Sequence, residues 1–304
     1  VILDFHTHVG EIFPASRQCP LDGIAPPPPE LMISSGAIED PSCLFYRKRP
    51  HPLSPAFLKH AAITLLRRPR VLRGMTIPNL LCDMQRHQID VSVVLPIEYA
   101  DGRDRSAQVI AACRQTNALI PFCSVHPNDA RWREKLDTYL RSGAQGLKLH
   151  PNFQRIRMNS AEVGDICEAF APHRLPLIIH SGVTGRERRT RRYADVTEFS
   201  PILRRFPDMP VVLAHAGIAQ YEAAIELARR HEQVYLEISG QPAQHIRQAL
   251  DALGAGRLLF GSDWPFWNQR HALQAVRDAA DGDAAIEQAM LGVNAARLLH
   301  RERR

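Results

Sequence analysis

The chain opens Val1-Ile2-Leu3-Asp4-Phe5-His6-Thr7-His8-Val9, an apolar run that turns polar towards its carboxyl end. Read as a strand, it places His6 and His8 on one face of a sheet, because side chains two residues apart project the same way. Four later apolar runs finish similarly, in Lys148-Leu149-His150-Pro151, Ile179-His180-Ser181-Gly182, Ala214-His215-Ala216-Gly217 and Gly261-Ser262-Asp263-Trp264-Pro265. One histidine at a strand end is ordinary, since imidazole is often buried without chemical duty. A set of strand ends bearing His, Lys or Asp points instead to a shared mouth.

From residue 89 onward, short apolar runs alternate with helical segments: Val91–Leu95, Ile120–Val125, Gly146–Leu149, Leu175–Ile179, Val211–Ala214, Val234–Ile238 and Arg257–Phe260. With Val1–Val9 they make eight strands, and the alternation is that of βα units around a parallel sheet. Helices are expected over Arg131–Arg141, Ala219–His231 and Pro242–Leu253; Gly143 and Gly254 stand where helix ends favour glycine. Eight repeats in 304 residues predict an α/β fold, a (β/α)8 TIM barrel forming a single domain over 1–304. A doubly wound open sheet would carry a glycine-rich loop after its first strand, and none is present. Residues 10–78 break the rhythm and are rich in proline, with the run Pro26–Pro29. This long insertion after strand one falls at the carboxyl end of a barrel and is expected to form a lid, with a short helix in Pro55–Leu66.

Composition narrows the function classes. Hydrophobic residues make up 45% and charged residues 23% of the chain, ordinary for a globular protein. No apolar stretch approaches the ~20 residues that span a bilayer, and no secretory leader pattern is visible. The six cysteines show no Cys-x-x-Cys spacing, which argues against a thiolate zinc site or a disulfide framework, so a reducing cytoplasm is the expected location. The net charge of +6 permits anionic partners. Aromatics amount to only 7% and do not interleave with the arginine clusters, so a small-molecule substrate is expected rather than nucleic acid.

The His-x-His start, the later strand-end histidines, Gly-Ser-Asp-Trp-Pro and the closing Gly292-Val293-Asn294-Ala295-Ala296-Arg297-Leu298 resemble the amidohydrolase superfamily. The nearer match is its amidohydrolase-related branch, which includes the aminocarboxymuconate-semialdehyde decarboxylases. The resemblance covers residues 1–9 and roughly 89–300. It implies His6, His8 and His180 as metal ligands, with Asp263 as last ligand and proton shuttle. It further implies that His215 either ligates a second metal or stays free for acid–base work; the second role is the expectation. Lys148 corresponds to a lysine that in binuclear relatives is carboxylated and bridges two metals; otherwise it could bind a substrate carboxylate, and one metal is the expectation. His150 would share the face of Lys148 if the strand continued past Pro151.

Three imidazoles and a carboxylate suit Zn²⁺, the default, while Mn²⁺ or Fe²⁺ would accept the same donors. Such an ion lowers the pKa of a bound water from 15.7 to about 7. The expected activity is therefore hydrolysis of an amide, lactone or related C–N or C–O bond in a small acidic molecule. A non-oxidative decarboxylase or hydratase using the same site is the alternative, and a catalytically silent metal- or anion-binding scaffold is a third reading. Arg186 and Arg189, after strand five, could clamp a carboxylate. Trp264 and Phe266, beside Asp263, could wall the substrate, or pack against a helix instead. Homodimers are frequent among similar proteins, and a homodimer is one oligomeric state left open by the sequence.

Overall fold

The computed structural model describes residues 1–13, 21–23, 73–182 and 191–301. The lid expected over 10–78, with its helix in Pro55–Leu66, lies largely outside them, as do Arg186 and Arg189.

Eight parallel strands form the barrel: β1 (Leu3–Thr7), β2 (Val91–Val94), β3 (Leu119–Pro121), β4 (Leu147–Leu149), β5 (Leu177–His180), β6 (Val211–Ala214), β7 (Val234–Glu237) and β8 (Leu258–Leu259). They pair in sequence order as a three-stranded arc, β1 to β3, and a five-stranded arc, β4 to β8. Two junctions close the ring. Cys123 bridges to Leu147, and Thr7 bridges to Trp264; the amide of Phe5 donates to the carbonyl of Phe260 at 2.9 Å. Parallel strands covered on both faces need apolar residues at nearly every position, which is why they read as continuous runs. Most strands are shorter than the runs that announce them, since the ladder ends before the hydrophobicity does.

Helices cover the outside, each with an apolar stripe inward. Ile77–His87 is capped by Thr76, buries Ile77, Leu80 and Met84, and ends at Gln88 in the left-handed region. The expected helices become Trp132–Arg141, Tyr221–Arg230 and Ala243–Leu253. In the last of these, Pro242 is the N-cap rather than the first helical residue. No helix among the described residues is long and apolar enough to cross a membrane.

Inside the ring, Phe5, Leu95, Phe122, Ile178, Val212 and Leu259 fill the lower barrel, and Ala295, Leu298 and Leu299 from the C-terminal helix stop its amino end. Only the carboxyl end is left to carry polar groups, and that is where the histidines gather.

Candidate metal centre

Simple alternation would not deliver His6 to the mouth. Leu3 and Phe5 belong to the interior cluster, so strict pleating would turn His6 outward. The pairing of β1 with β2 is offset between Asp4 and Thr7: Asp4 faces Ser92, but Thr7 faces Val94. One extra residue on β1 is a bulge, and it re-aims the following side chains. Both His6 and His8 thereby enter the mouth above Phe5.

His6 Nε2 and His8 Nε2 stand 3.1 Å apart. Asp263 Oδ1 lies 3.5 Å from the first and 3.4 Å from the second. Lys148 Nζ is 3.4 Å from His6 Nε2. The rings of His6 and His215 lie 4.8 Å apart and those of His215 and His180 5.0 Å apart. His6, His215 and Asp263 offer ligand atoms within 4.8 Å of one another. The structure thus brings together His6, His8, Lys148, His180, His215 and Asp263.

The hydrogen bonds behind these rings decide which nitrogen faces inward. His8 Nδ1 meets the carbonyl of Leu95 at 2.7 Å, and a carbonyl can only accept, so Nδ1 carries the proton and Nε2 a lone pair. His6 Nδ1 meets Glu237 Oε2 at 2.7 Å. That oxygen also receives the Ser239 hydroxyl at 2.9 Å and the His215 amide at 3.1 Å, while Oε1 takes the Ser239 amide at 2.6 Å. Burial pushes the Glu237 carboxyl up to about 8. Four donors aimed at its two oxygens oppose that shift and match the acceptor-only, ionised form. The Ser239 hydroxyl, having given its hydrogen to Glu237, accepts from His215 Nδ1 at 2.8 Å. His6, His8 and His215 therefore all present Nε2 lone pairs to the mouth.

Charge on His6, His180 and His215 is disfavoured as well. Burial, followed by the positive charge of Lys148, holds His6 well below the usual imidazole range and His180 at about 3. His215 is depressed first by burial and then by His180. Two Nε2 lone pairs 3.1 Å apart repel unless a proton or a cation lies between them. A carboxylate oxygen close to both completes a donor set that fits a divalent ion. Lys148, fully buried, is lowered by burial to about 8, with Asp263 and Glu237 opposing the shift.

The turns that carry the site are held in strained backbone. Asp263 (φ 56°) and His215 (φ 59°) occupy the left-handed region without being glycine, a conformation that surrounding structure must over-determine. The Asp263 amide donates to the His6 carbonyl at 2.7 Å, and Gln241 Nε2 donates to the His215 carbonyl at 2.6 Å. Asp4, on the outer face of β1, accepts the Ser262 amide at 2.8 Å and hydroxyl at 2.5 Å, locking the loop that presents Asp263. Gly261 leaves room for this packing. A Cβ there would meet Glu237 Oε1 at 2.3 Å and His6 Cβ at 2.9 Å.

Glu237, Ser239 and Asp4 carry no strand-end signal of the kind that marks the histidines. A glutamate inside the apolar run Val234–Ile238 was the available signal, because a buried carboxylate needs partners. Trp264 does not wall the mouth. It is 3% exposed, packs in the layer between barrel and helices, and donates from Nε1 to Asp83 at 2.9 Å, so helix packing is its role. Phe266 is the neighbour that faces the site, 6.1 Å from the His8 ring. His150 also joins the site, stacked on His180 with centroids 4.0 Å apart. It does so although β4 ends at Leu149, because Pro151 starts a helical turn instead of breaking the approach.

The amidohydrolase family profile matches residues 82–301. Among curated proteins none matches the sequence. Solved structures do share the fold. The 5-carboxyvanillate decarboxylase of Sphingomonas paucimobilis superposes with a TM-score of 0.62 at 16% identity, over 77% of this chain and 86% of that one. A dihydroxybenzoic acid decarboxylase from Polaromonas sp. JS666, with bound manganese and an inhibitor, gives 0.58 at 16%, over 78% and 90%. A probable 2-pyrone-4,6-dicarboxylic acid hydrolase from Acinetobacter baumannii, with citric acid bound, gives 0.62 at 13%, over 98% and 99%.

Proposed function

Since this chain belongs to the amidohydrolase family, we propose that it is a metal-dependent enzyme in which His6, His8, His180 and Asp263 hold one divalent cation and hydrolyse a small acidic substrate. The observation that carries this reading is the pair of inward Nε2 lone pairs, 3.1 Å apart, with the Asp263 carboxylate beside both. A divalent ion bound there would supply Lewis acidity and an acidified water. Zn²⁺ suits the donors, and Mn²⁺, present in two structural neighbours, suits them equally.

The remaining residues supply proton traffic and recognition. Asp263, 13% exposed at its side chain, takes a proton from the attacking water and passes it to the leaving nitrogen or oxygen. His215, with its lone pair inward, is a second proton acceptor, kept neutral by burial. The Lys148 ammonium attracts a substrate carboxylate into the dry mouth. Carboxylated by CO₂, the same lysine would instead join a second metal to the first.

A second reading is non-oxidative decarboxylation, in which His215 or Asp263 delivers a proton to carbon. Structural neighbours favour it, two of the three described above being decarboxylases. Turnover of a panel of lactones, amides and aryl carboxylates in ¹⁸O-water and in D₂O separates the readings. Hydrolysis places ¹⁸O in the product acid, whereas decarboxylation releases CO₂ and leaves deuterium on carbon. Turnover unaffected by complete metal removal would overturn both.

A further inference from the structure

At the mouth, His6, His8 and His215 present lone pairs and Asp263 presents carboxylate oxygens, while Lys148 is a donor. His150 is built the opposite way. It is the N-cap of the turn Pro151–Gln154, and its Nδ1 accepts the Phe153 amide at 3.3 Å. An amide can only donate, so Nδ1 holds the lone pair and, in the neutral ring, Nε2 carries the hydrogen. A ring whose Nδ1 accepts this amide is neutral by that contact alone. No described residue accepts from Nε2.

The ring is fixed in place as well as in tautomer. It lies between Phe153, 4.0 Å away and 1° from parallel, and His180, 4.0 Å away and 10° from parallel. Gln154 Oε1 accepts the His150 amide at 2.8 Å, and Gln154 Nε2 donates to the carbonyls of Glu98 and Val125 at 2.9 Å each. A cap alone does not call for histidine, since Asn, Asp or Ser would serve better. Beside it, Phe153 packs 5.3 Å from Phe13, which packs 6.0 Å from Phe266. The donor is therefore flanked by an aromatic surface that suits a flat apolar group.

We propose that His150 is a substrate-contacting residue whose Nε2–H donates to a carbonyl or carboxylate oxygen of a planar substrate. With Nδ1 committed to a backbone amide, His150 is not a metal ligand, unlike His6 and His8, whose tautomer is opposite. This inference rests on the reading of the mouth as a substrate site, but not on the choice between hydrolysis and decarboxylation.

The test uses the zinc-loaded full chain, ¹⁵N-labelled at histidine, with benzoate as the probe. Imidazole NMR spectra, with the His150 signals identified by their loss in His150→Asn, should show Nε2 protonated and Nδ1 bare, and benzoate should shift the Nε2–H signal. His150→Asn keeps the cap through its side-chain oxygen but falls short of the Nε2 position, and should bind benzoate about ten-fold more weakly, the value of one hydrogen bond. His150→Gln reaches that position with an N–H and should bind within about three-fold of wild type. Both should retain wild-type zinc. A protonated Nδ1, equal benzoate affinity in His150→Asn, or zinc lost from both variants would overturn the proposal. A wild-type chain that takes up no zinc would count against the metal reading alone, since the tautomer and the benzoate titration still decide His150.

Discussion

Glu237 does more for the site than its distance from any substrate would suggest. Its carboxylate fixes the tautomer of His6 directly and that of His215 through Ser239. Outer carboxylates of this kind commonly set metal affinity by 10–100-fold. Glu237→Gln keeps the shape but replaces one acceptor oxygen with a donor, so competition titrations with a metal chelator should show affinity falling at least ten-fold; unchanged affinity would remove Glu237 from the account. Gly261→Ala should have a similar effect by a steric route, because its methyl group would meet Glu237 and His6. The check is metal content alongside circular dichroism, with metal lost and the barrel spectrum retained. At this scale the candidate ligands were legible, since His and Asp at strand ends stand out. Glu237 was not, because one carboxylate in an apolar strand announces burial without naming its partner. The tautomers of His8 and His150 were not legible either, being set by the Leu95 carbonyl and the Phe153 amide, groups common to every sequence.

Strands and helices were read well where hydrophobicity alone decides them. Parallel barrel strands are apolar on both faces, and Val211–Ala214 emerged with its bounds unchanged. The β1 bulge was hidden, because it depends on register against β2 and leaves no mark in composition. Pro151 misled for a related reason: proline ends a strand but suits the first turn of a helix, and that turn brings His150 to the mouth. The C-terminal helix Asn294–Leu298 closes the barrel's other end. Asn294 Nδ2 donates to the carbonyls of Ala255 at 2.7 Å and Leu258 at 2.9 Å. Asn294→Ala leaves these carbonyls without that donor and should cost about 1–3 kcal/mol. Urea denaturation should show the loss while metal content stays at the wild-type level; loss of metal would mean that the two ends of the barrel are coupled.

For the whole molecule, buried ionisable groups set how stability depends on pH. Glu98 is pushed by burial to about 7, although the Ser106 amide donates to it at 2.5 Å. Its folded pKa exceeds the ordinary 4.5, so the folded chain binds more protons between the two values. Stability from this group is complete below pH 4.5 and is lost as pH rises through 7, by up to about 3 kcal/mol. Asp4, raised by burial to about 6, acts with the same sign. The depressed histidines act oppositely: His180, at about 3 when folded, loses its contribution as pH falls below 6.5. Comparing wild type with Glu98→Gln at pH 5 and pH 8 isolates the carboxylate. The wild type should lose more stability over that interval than the variant, and parallel urea midpoints would contradict the assignment. The stretch 10–78 stands out in the sequence by its prolines, and the lid expected there lies largely outside the described residues.

The proposed site at the mouth of the barrel holds a divalent metal on its histidines and Asp263. The most direct test is metal content per chain, by elemental analysis, on protein purified without added metal or chelator and again after zinc loading and dialysis. About one equivalent in the wild type, lost in His6→Ala and reduced in Asp263→Asn, is the expected result; two equivalents would point to a carboxylated Lys148. Wild-type protein that retains no metal after loading, with its barrel intact, would contradict the claim.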